Sequence, residues 1–334
     1  MSSLDGLVAS RAATALLRGL ASATVGRSWS SKARRHLLKS VRRLWVAVSD
    51  PPVSWIIFDS PVLMPLSHEL PIYLAAFPLY GRNLGRIAAS ILATHQKLTI
   101  IDIGANVGDS VVSLGRTSHA AGIRVLCLEP QSTYFEYLRH NLSVLEVDAT
   151  AFQSLVTNET GSVRGRMIMG GGTAALRIDP GEGELPCISM ADALELSGYR
   201  SGAVLVKIDT DGMDLDIIKG SLLFLESERP SLFFECDASL VGSADQAIRS
   251  VLSELHNIGY QSILVYDNFG WLLGVYDLGE HFAIDNIAAL AFSSTAKAGY
   301  LDLIVMHSAE PASQIVVQAE AGFYQDLYRQ HRLS

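Results

Sequence analysis

The chain has 334 residues, 49% of them hydrophobic and 18% charged, with a formal net charge of −8. This is a globular composition with ample apolar material for a core, long enough for two ordinary domains or one large α/β unit, and its acidity argues against general nucleic-acid binding. No apolar run of about 18 residues predicts a membrane-spanning helix, and no compact apolar core with a cleavage site predicts a signal peptide. Cys127, Cys187 and Cys236 form no CxxC pair and show no close Cys/His ligand spacing, so buried, reduced thiols in a cytoplasmic protein are expected rather than a zinc site.

Charge is uneven along the chain. Residues 1–49 hold nine Lys/Arg against the single acid Asp5, a net of +8, which leaves −16 for the remainder. Residues 1–31 are rich in Ala, Ser, Gly and Arg and read as loosely structured or weakly helical. Residues 33–48, "ARRHLLKSVRRLWVAV", place Leu37, Leu38, Val41, Leu44, Trp45 and Val48 at helical spacing on one face, with Arg34, Arg35, Lys39, Arg42 and Arg43 off it. Pro51 and Pro52 stop that helix. A basic amphipathic helix either lies on an anionic membrane surface or docks its apolar face on the acidic remainder of the chain or on a second subunit. Amphipathic helices are mostly core helices, so the docked reading is preferred.

Residues 54–65 read as short strands around "FDSP", and 68–96 as helical pieces broken by Pro71, Pro78 and Gly81. From residue 98 strands and helices alternate. Strands are expected at 98–103, 123–129, 149–157, 203–209 and 231–237, with helices at 108–117, 132–145, 213–227 and 244–258. A Gly-rich, less regular insert spans 161–187. Residues 261–278 look like a hairpin turning at Asn268–Gly270, followed by a helical stretch, a last strand at 300–307 and a helical tail from 309. The division is a basic extension (1–50), a lead-in packing on the core (51–97), a ligand-binding domain (98–308) and the tail (309–334). Such alternation implies a largely parallel sheet covered on both faces, with ligands at the carboxyl ends of its strands.

The turn after the strand at 98–103 is "IDIGANVGDS". A GxGxxG dinucleotide fingerprint would need glycine at 106 and 109, where Asn106 and Asp109 stand, and no GK[ST] follows to make a P-loop. What fits is acid-x-Gly-x-x-x-Gly: Asp102, Gly104, Gly108. This resembles the first motif of Rossmann-like methyltransferases that use S-adenosylmethionine (SAM). SAM carries no pyrophosphate. It needs a close-packed turn for its methionine end, which glycines allow, while Asn106 can add hydrogen bonds there. Glu129 closes the next strand, where an acid can accept both ribose hydroxyls.

With "VLCLEPQSTYFEYLRHNL" and "VLVKIDTDGMDLDIIKGSLLFLESERPSLFFECD", the sequence resembles the FkbM family of SAM-dependent methyltransferases over about residues 98–260. The resemblance implies a class I SAM-dependent methyltransferase fold: a mostly parallel seven-stranded sheet with helices on both faces, here with an N-terminal helical extension. It implies O-methylation of a hydroxyl on a sugar of a glycolipid or polysaccharide, on a polyketide or on another natural product, in a bacterial setting. A non-catalytic SAM-binding partner module is the alternative from another class. By position, Asp102, Gly104, Asn106 and Gly108 match the SAM turn and Glu129 the ribose acid. Lys207, Asp209, Asp211 and Gly212 match the KID block, and Glu235 the strand-closing acid. Asp211 stands where Glu is commoner.

A sugar hydroxyl is weakly nucleophilic, so a general base helps, and a divalent metal is a further candidate cofactor. Asp209 is the first choice of base, with Asp211 or Glu235 assisting or holding the ion. Against this, Asp211 could cap the next helix and Glu235 could pair with Lys207. His68, His140, His256 and His281 lack a motif and are taken as structural or surface residues. "MGGGTAAL" (169–176) reads as a lid, an acceptor loop or a plain loop. The expected partner is a small-molecule or glycan acceptor, with a second copy of the chain, or a peripheral membrane contact through 33–48, as the alternatives to a helix docked on its own chain. The expected location is the cytoplasm, extending to the inner face of the membrane.

Overall fold

The computed structural model describes residues 7–26, 28–115, 122–145, 147–170, 172–199, 202–237, 244–295 and 300–333. The chain opens with two helices, α1 (Arg11–Val25) and α2 (Trp29–Val48), so the first segment is helical rather than loose. Ser10 and Ser28 cap them, each side chain accepting a backbone N–H of the first turn. An antiparallel hairpin follows, β1 (Pro52–Ile57) and β2 (Ser60–Pro65), then α3 (Leu70–Ala76) and α4 (Asn83–Thr94). Pro71 does not break α3. It sits in the first turn, where no partner is needed for the missing N–H.

The core alternates as expected: β3 (Leu98–Ile103), α5 (Asp109–Gly115), β4 (Ile123–Leu128), α6 (Ser132–Val144), β5 (Asp148–Phe152) and a short β6 (Leu155–Val156). Residues 116 and 117, the end of the helix expected over 108–117, lie outside the described residues. The insert then departs from expectation. It forms β7 (Gly161–Gly170), β8 (Thr173–Ile178) and β9 (Glu184–Ile188), which with β6 make a second, four-stranded sheet ordered β6-β9-β7-β8. Its strands are exposed on most of their length, so they lack the apolar alternation that marks a strand packed on a core.

After α7 (Met190–Ser197) come β10 (Ala203–Ile208), α8 (Asp214–Gly220), α9 (Leu222–Glu228), β11 (Ser231–Cys236) and α10 (Ala244–Asn257). The chain ends with β12 (Tyr260–Asp267), β13 (Leu272–Asp277), α11 (Ala283–Thr295), β14 (Leu301–His307) and α12 (Ser313–Leu333). The main sheet runs β13-β12-β14-β11-β10-β3-β4-β5. From β5 to β11 all pairings are parallel, whereas β14 lies antiparallel between β11 and β12. The sheet has eight strands rather than the expected seven, because the second arm of the 261–278 hairpin, β13, adds to the edge.

Winding outward from β3 in both directions puts the switch point between β3 and β10, where a crevice opens at the strand ends. One sheet face is covered by α4, α5, α6 and α12, the other by α7 to α11. A third cluster joins α1, β1, β2 and α3 to Val107 and Val112, so the lead-in packs against the turn after β3. The bidentate bond of Arg86 to buried Glu320 ties α12 to α4, at 2.7 Å on each arm. Cys127, Cys187 and Cys236 are buried and free. No helix among the described residues is long and apolar enough to cross a membrane.

Candidate active site

The turn from β3 into α5 meets the end of β10 at the switch point. Gly104 has φ +77°, and a Cβ there would stand 1.9 Å from the carbonyl oxygen of Asp209. Only glycine lets the two strand ends approach this closely. Asn106 also takes a left-handed conformation, φ +48°, which asparagine tolerates better than most residues. Its backbone N–H donates to Glu129 Oε2 at 2.8 Å, and the Gln131 N–H donates to Glu129 Oε1 at 2.8 Å. Each carboxylate oxygen therefore keeps a lone pair for a ligand in the cavity that it lines. Burial pushes the Glu129 pKa up to about 7, against the pull of these two N–H groups.

Asp102 does not reach that cavity. It is fully buried beneath the turn and accepts from Lys207 Nζ at 3.0 Å, so it supports the turn rather than touching a ligand directly. Lys207 also pairs with Asp209 at 3.2 Å. The expected alternative, a Lys207–Glu235 pair, is therefore replaced by a bridge from Asp102 to Asp209. Burial alone would lower the Lys207 pKa, but Asp102, Asp209 and Asp109 outweigh it and hold the ammonium well above its usual range.

Two cavities adjoin at Asp209. The first, about 500 Å³, is lined by Gly104, Asn106, Glu129, Tyr134 and apolar side chains including Leu128, Val156 and Ile217. Met167, Ala174 and Leu176 of the β7–β8 hairpin complete it. That hairpin is fastened by two bonds. Asn106 Nδ2 donates to the Gly172 carbonyl at 2.7 Å, and the Ala174 N–H donates to Asp211 Oδ2 at 3.3 Å. The described part of "MGGGTAAL" is therefore a roof over this cavity; Gly171 lies outside the described residues. Asp211, φ +53°, holds that roof instead of capping the next helix; α8 has no side-chain cap, and Asp214 in its first turn accepts from Thr210 ahead of it. Burial and the neighbouring Asp209 push the Asp211 pKa up to about 6.

The second cavity, about 640 Å³, is lined by Phe58, Tyr80, Asn83, Asp109, Asp209, Phe233, Glu235, Tyr300 and Asp302. Glu235 and Asp302 are cross-strand partners on β11 and β14. Like charges placed opposite each other repel, and both groups are desolvated. Burial first, then Asp209 and Asp302, push the Glu235 pKa far above the carboxylate range. Burial and Asp209 likewise push Asp302 up to about 8, and burial pushes Asp109 up to about 6. Glu235 is therefore protonated at neutral pH, a hydrogen-bond donor and not a base. Among the described residues no three His, Cys, Asp or Glu side chains are grouped to hold a metal ion, so the expected divalent ion has no such ligand set.

His68 proves to be a site residue. Its Nδ1 accepts the Leu70 N–H at 3.2 Å, so the ring proton sits on Nε2 and donates to Asn106 Oδ1 at 3.1 Å. Burial drives its pKa down to about 4. A neutral ring with both nitrogens committed orients Asn106 and takes no proton from an acceptor. Arg42 of α2 steadies the same loop, donating to the carbonyls of Leu66, Ser67 and His68. His140, His256 and His281 line neither cavity.

A parallel sheet wound from β3 in both directions, closed by an antiparallel β14, with a glycine turn and a strand-end acid at the switch point, is the class I SAM-dependent methyltransferase fold. Residues 102–262, just under half of the chain, match the model of the Methyltransferase FkbM domain. Among solved structures it is similar to the methyltransferase FkbM from Methylobacillus flagellatus KT, at 14% identity and a TM-score of 0.39, covering 87% of this chain and 58% of that one. It is also similar to the O-methyltransferase TomG from Streptomyces achromogenes, involved in tomaymycin synthesis and solved with SAM, at 16% identity and a TM-score of 0.36, covering 68% and 79%. The chain thus spans less than two thirds of the first of these. No curated protein matches it.

Proposed function

We propose that this protein is a SAM-dependent O-methyltransferase whose acceptor is a hydroxyl of a sugar, carried on a glycolipid or polysaccharide. The observation that carries the reading is Asp209. It follows a strand of the FkbM domain and stands in the wall common to both cavities.

The first cavity fits SAM. The absent Cβ of Gly104 leaves room at the strand ends, Glu129 has free lone pairs for two ribose hydroxyls, and the apolar wall suits a purine. Bound there, SAM supplies an electrophilic methyl group on a sulfonium. Asn106, oriented by His68, would bind the amino-acid end. The roof hairpin would keep water from the transfer point.

In the second cavity Asp209 would accept the proton of the acceptor hydroxyl, with Lys207 paired to it and fixing it in place. Protonated Glu235 and Asp302 would bind neighbouring hydroxyls, and the rings of Phe58, Tyr80 and Tyr300 offer apolar faces to a sugar. Most of the rate gain would come from holding the two reactants at near-attack distance. Three buried free thiols support a reducing compartment such as the cytoplasm.

The test is incubation of the protein with SAM and a panel of glycans, glycolipids and polyketide alcohols, read by mass. A gain of one methyl on a sugar hydroxyl is expected. Methylation of a polyketide alone would overturn the acceptor class. Tight SAM binding without transfer to any acceptor would support a binding module instead.

A further inference from the structure

The basic helix α2 was expected to offer one apolar face, and the structure divides that face in two. Leu38 and Trp45 turn inward with Val46, and buried Arg42 beside them donates to three carbonyls of the 66–68 loop. Leu37, Val41, Leu44 and Val48 point out and are 65%, 40%, 72% and 88% exposed. These four recur at i, i+4, i+7 and i+11, a single straight row along a helix that its other side already anchors. Arg34 lies about 50° round the helix from the row, His36 and Arg43 about 110–130° round on the other side, and Lys32 and Lys39 near the face opposite it. All five are exposed and make no ion pair among the described residues.

We infer that this outer face of α2 is a docking surface for an anionic lipid bilayer. A row of aliphatic side chains on a helix whose remaining free sides carry exposed Lys and Arg can lie in the interface, its apolar edge among acyl chains while Arg34 and Arg43 reach back to the headgroups. The +8 charge of residues 1–49, against −16 elsewhere, orients the molecule with this end toward a negative surface. A second copy of the chain is the poorer occupant. Four aliphatics fall far short of the roughly 20–30 residues that each side of a standard protein interface uses. Arg42 fixes the helix to the body, so the face is formed before any contact.

The test is flotation of the full-length protein with phosphatidylcholine–phosphatidylglycerol vesicles, with pure phosphatidylcholine as the neutral control. The parent is expected to float with the anionic vesicles, to do so poorly with the neutral ones, and to be released by salt. The double variant Leu37→Ser/Leu44→Ser should partition at least about tenfold less. Each of Arg34→Gln and Arg43→Gln should cost about fivefold. All these positions are exposed, so thermal melting and SAM binding should match the parent and exclude a folding defect. A parent that stays in the bottom fraction with anionic vesicles overturns the inference, as does a double variant that floats as well as the parent. A parent that does not float but is a dimer by light scattering, made monomeric by the leucine substitutions, would assign the face to a second copy.

Discussion

The two cavities that meet at Asp209 are built from opposite materials. On the donor side the polar groups are satisfied by the protein itself: Glu129 by two backbone N–H groups, Asn106 by His68 and Gly172, Asp211 by Ala174. On the acceptor side Glu235, Asp302 and Asp109 line one cavity with Asp209, each raised in pKa by burial first and also by Asp209, and Glu235 by Asp302 as well. One wall is preorganised by hydrogen bonds and the other is kept neutral by desolvation. A rigid cradle suits a ligand that never changes. Two protonated acids, Glu235 and Asp302, suit one with many hydroxyl groups, since each can both donate and accept a hydrogen bond.

The largest expected effect is on the cradle. Gly104→Ala brings a methyl group against the Asp209 carbonyl and strains a positive-φ turn, costing about 3 kcal/mol or more at the site. SAM affinity by calorimetry should fall on the order of a hundredfold or more. An unchanged affinity would mean that the close approach of β3 and β10 is not what forms the donor site.

A smaller effect tests the opposite wall. Burial and Asp209 raise the Asp302 pKa from the ordinary 3.8 to about 8, so between those pH values the native state holds a proton that the unfolded chain has lost. Its contribution to stability is then complete below 3.8 and declines as pH rises toward about 8. Asp302→Asn should flatten the fall of Tm with pH over this window. If the slope is that of the parent, Asp302 is not held neutral by the fold.

That the glycine turn, Asn106 and Glu129 share one cavity was legible in the sequence because the arrangement is local. The glycine turn and Glu129 lie at successive strand ends, and the spacing of Asp102, Gly104 and Gly108 encodes one sharp backbone path. Even there, periodicity could not reveal that Asp102 acts through Lys207, since the pair joins residues 105 apart in the chain. The acceptor side was largely hidden, because Tyr80, Asn83, Asp109 and Asp302 come together only in the folded sheet. Asp302 did leave a signal: an acid inside the apolar run "YLDLIVMH" is costly unless the fold has a use for it. His68 left none, as its role depends on a turn 38 residues away. The eighth strand was half legible: the hairpin was expected, but not that its second arm would extend the sheet.

The account rests on Asp209 as the point where donor and acceptor meet. The most direct test is Asp209→Asn, with SAM binding and methyl transfer measured on the same preparation. Affinity for SAM should stay within about threefold of the parent, because Glu129 and the glycine turn are untouched, while turnover falls about 10²–10⁴-fold. A variant that turns over as fast as the parent would contradict the assignment.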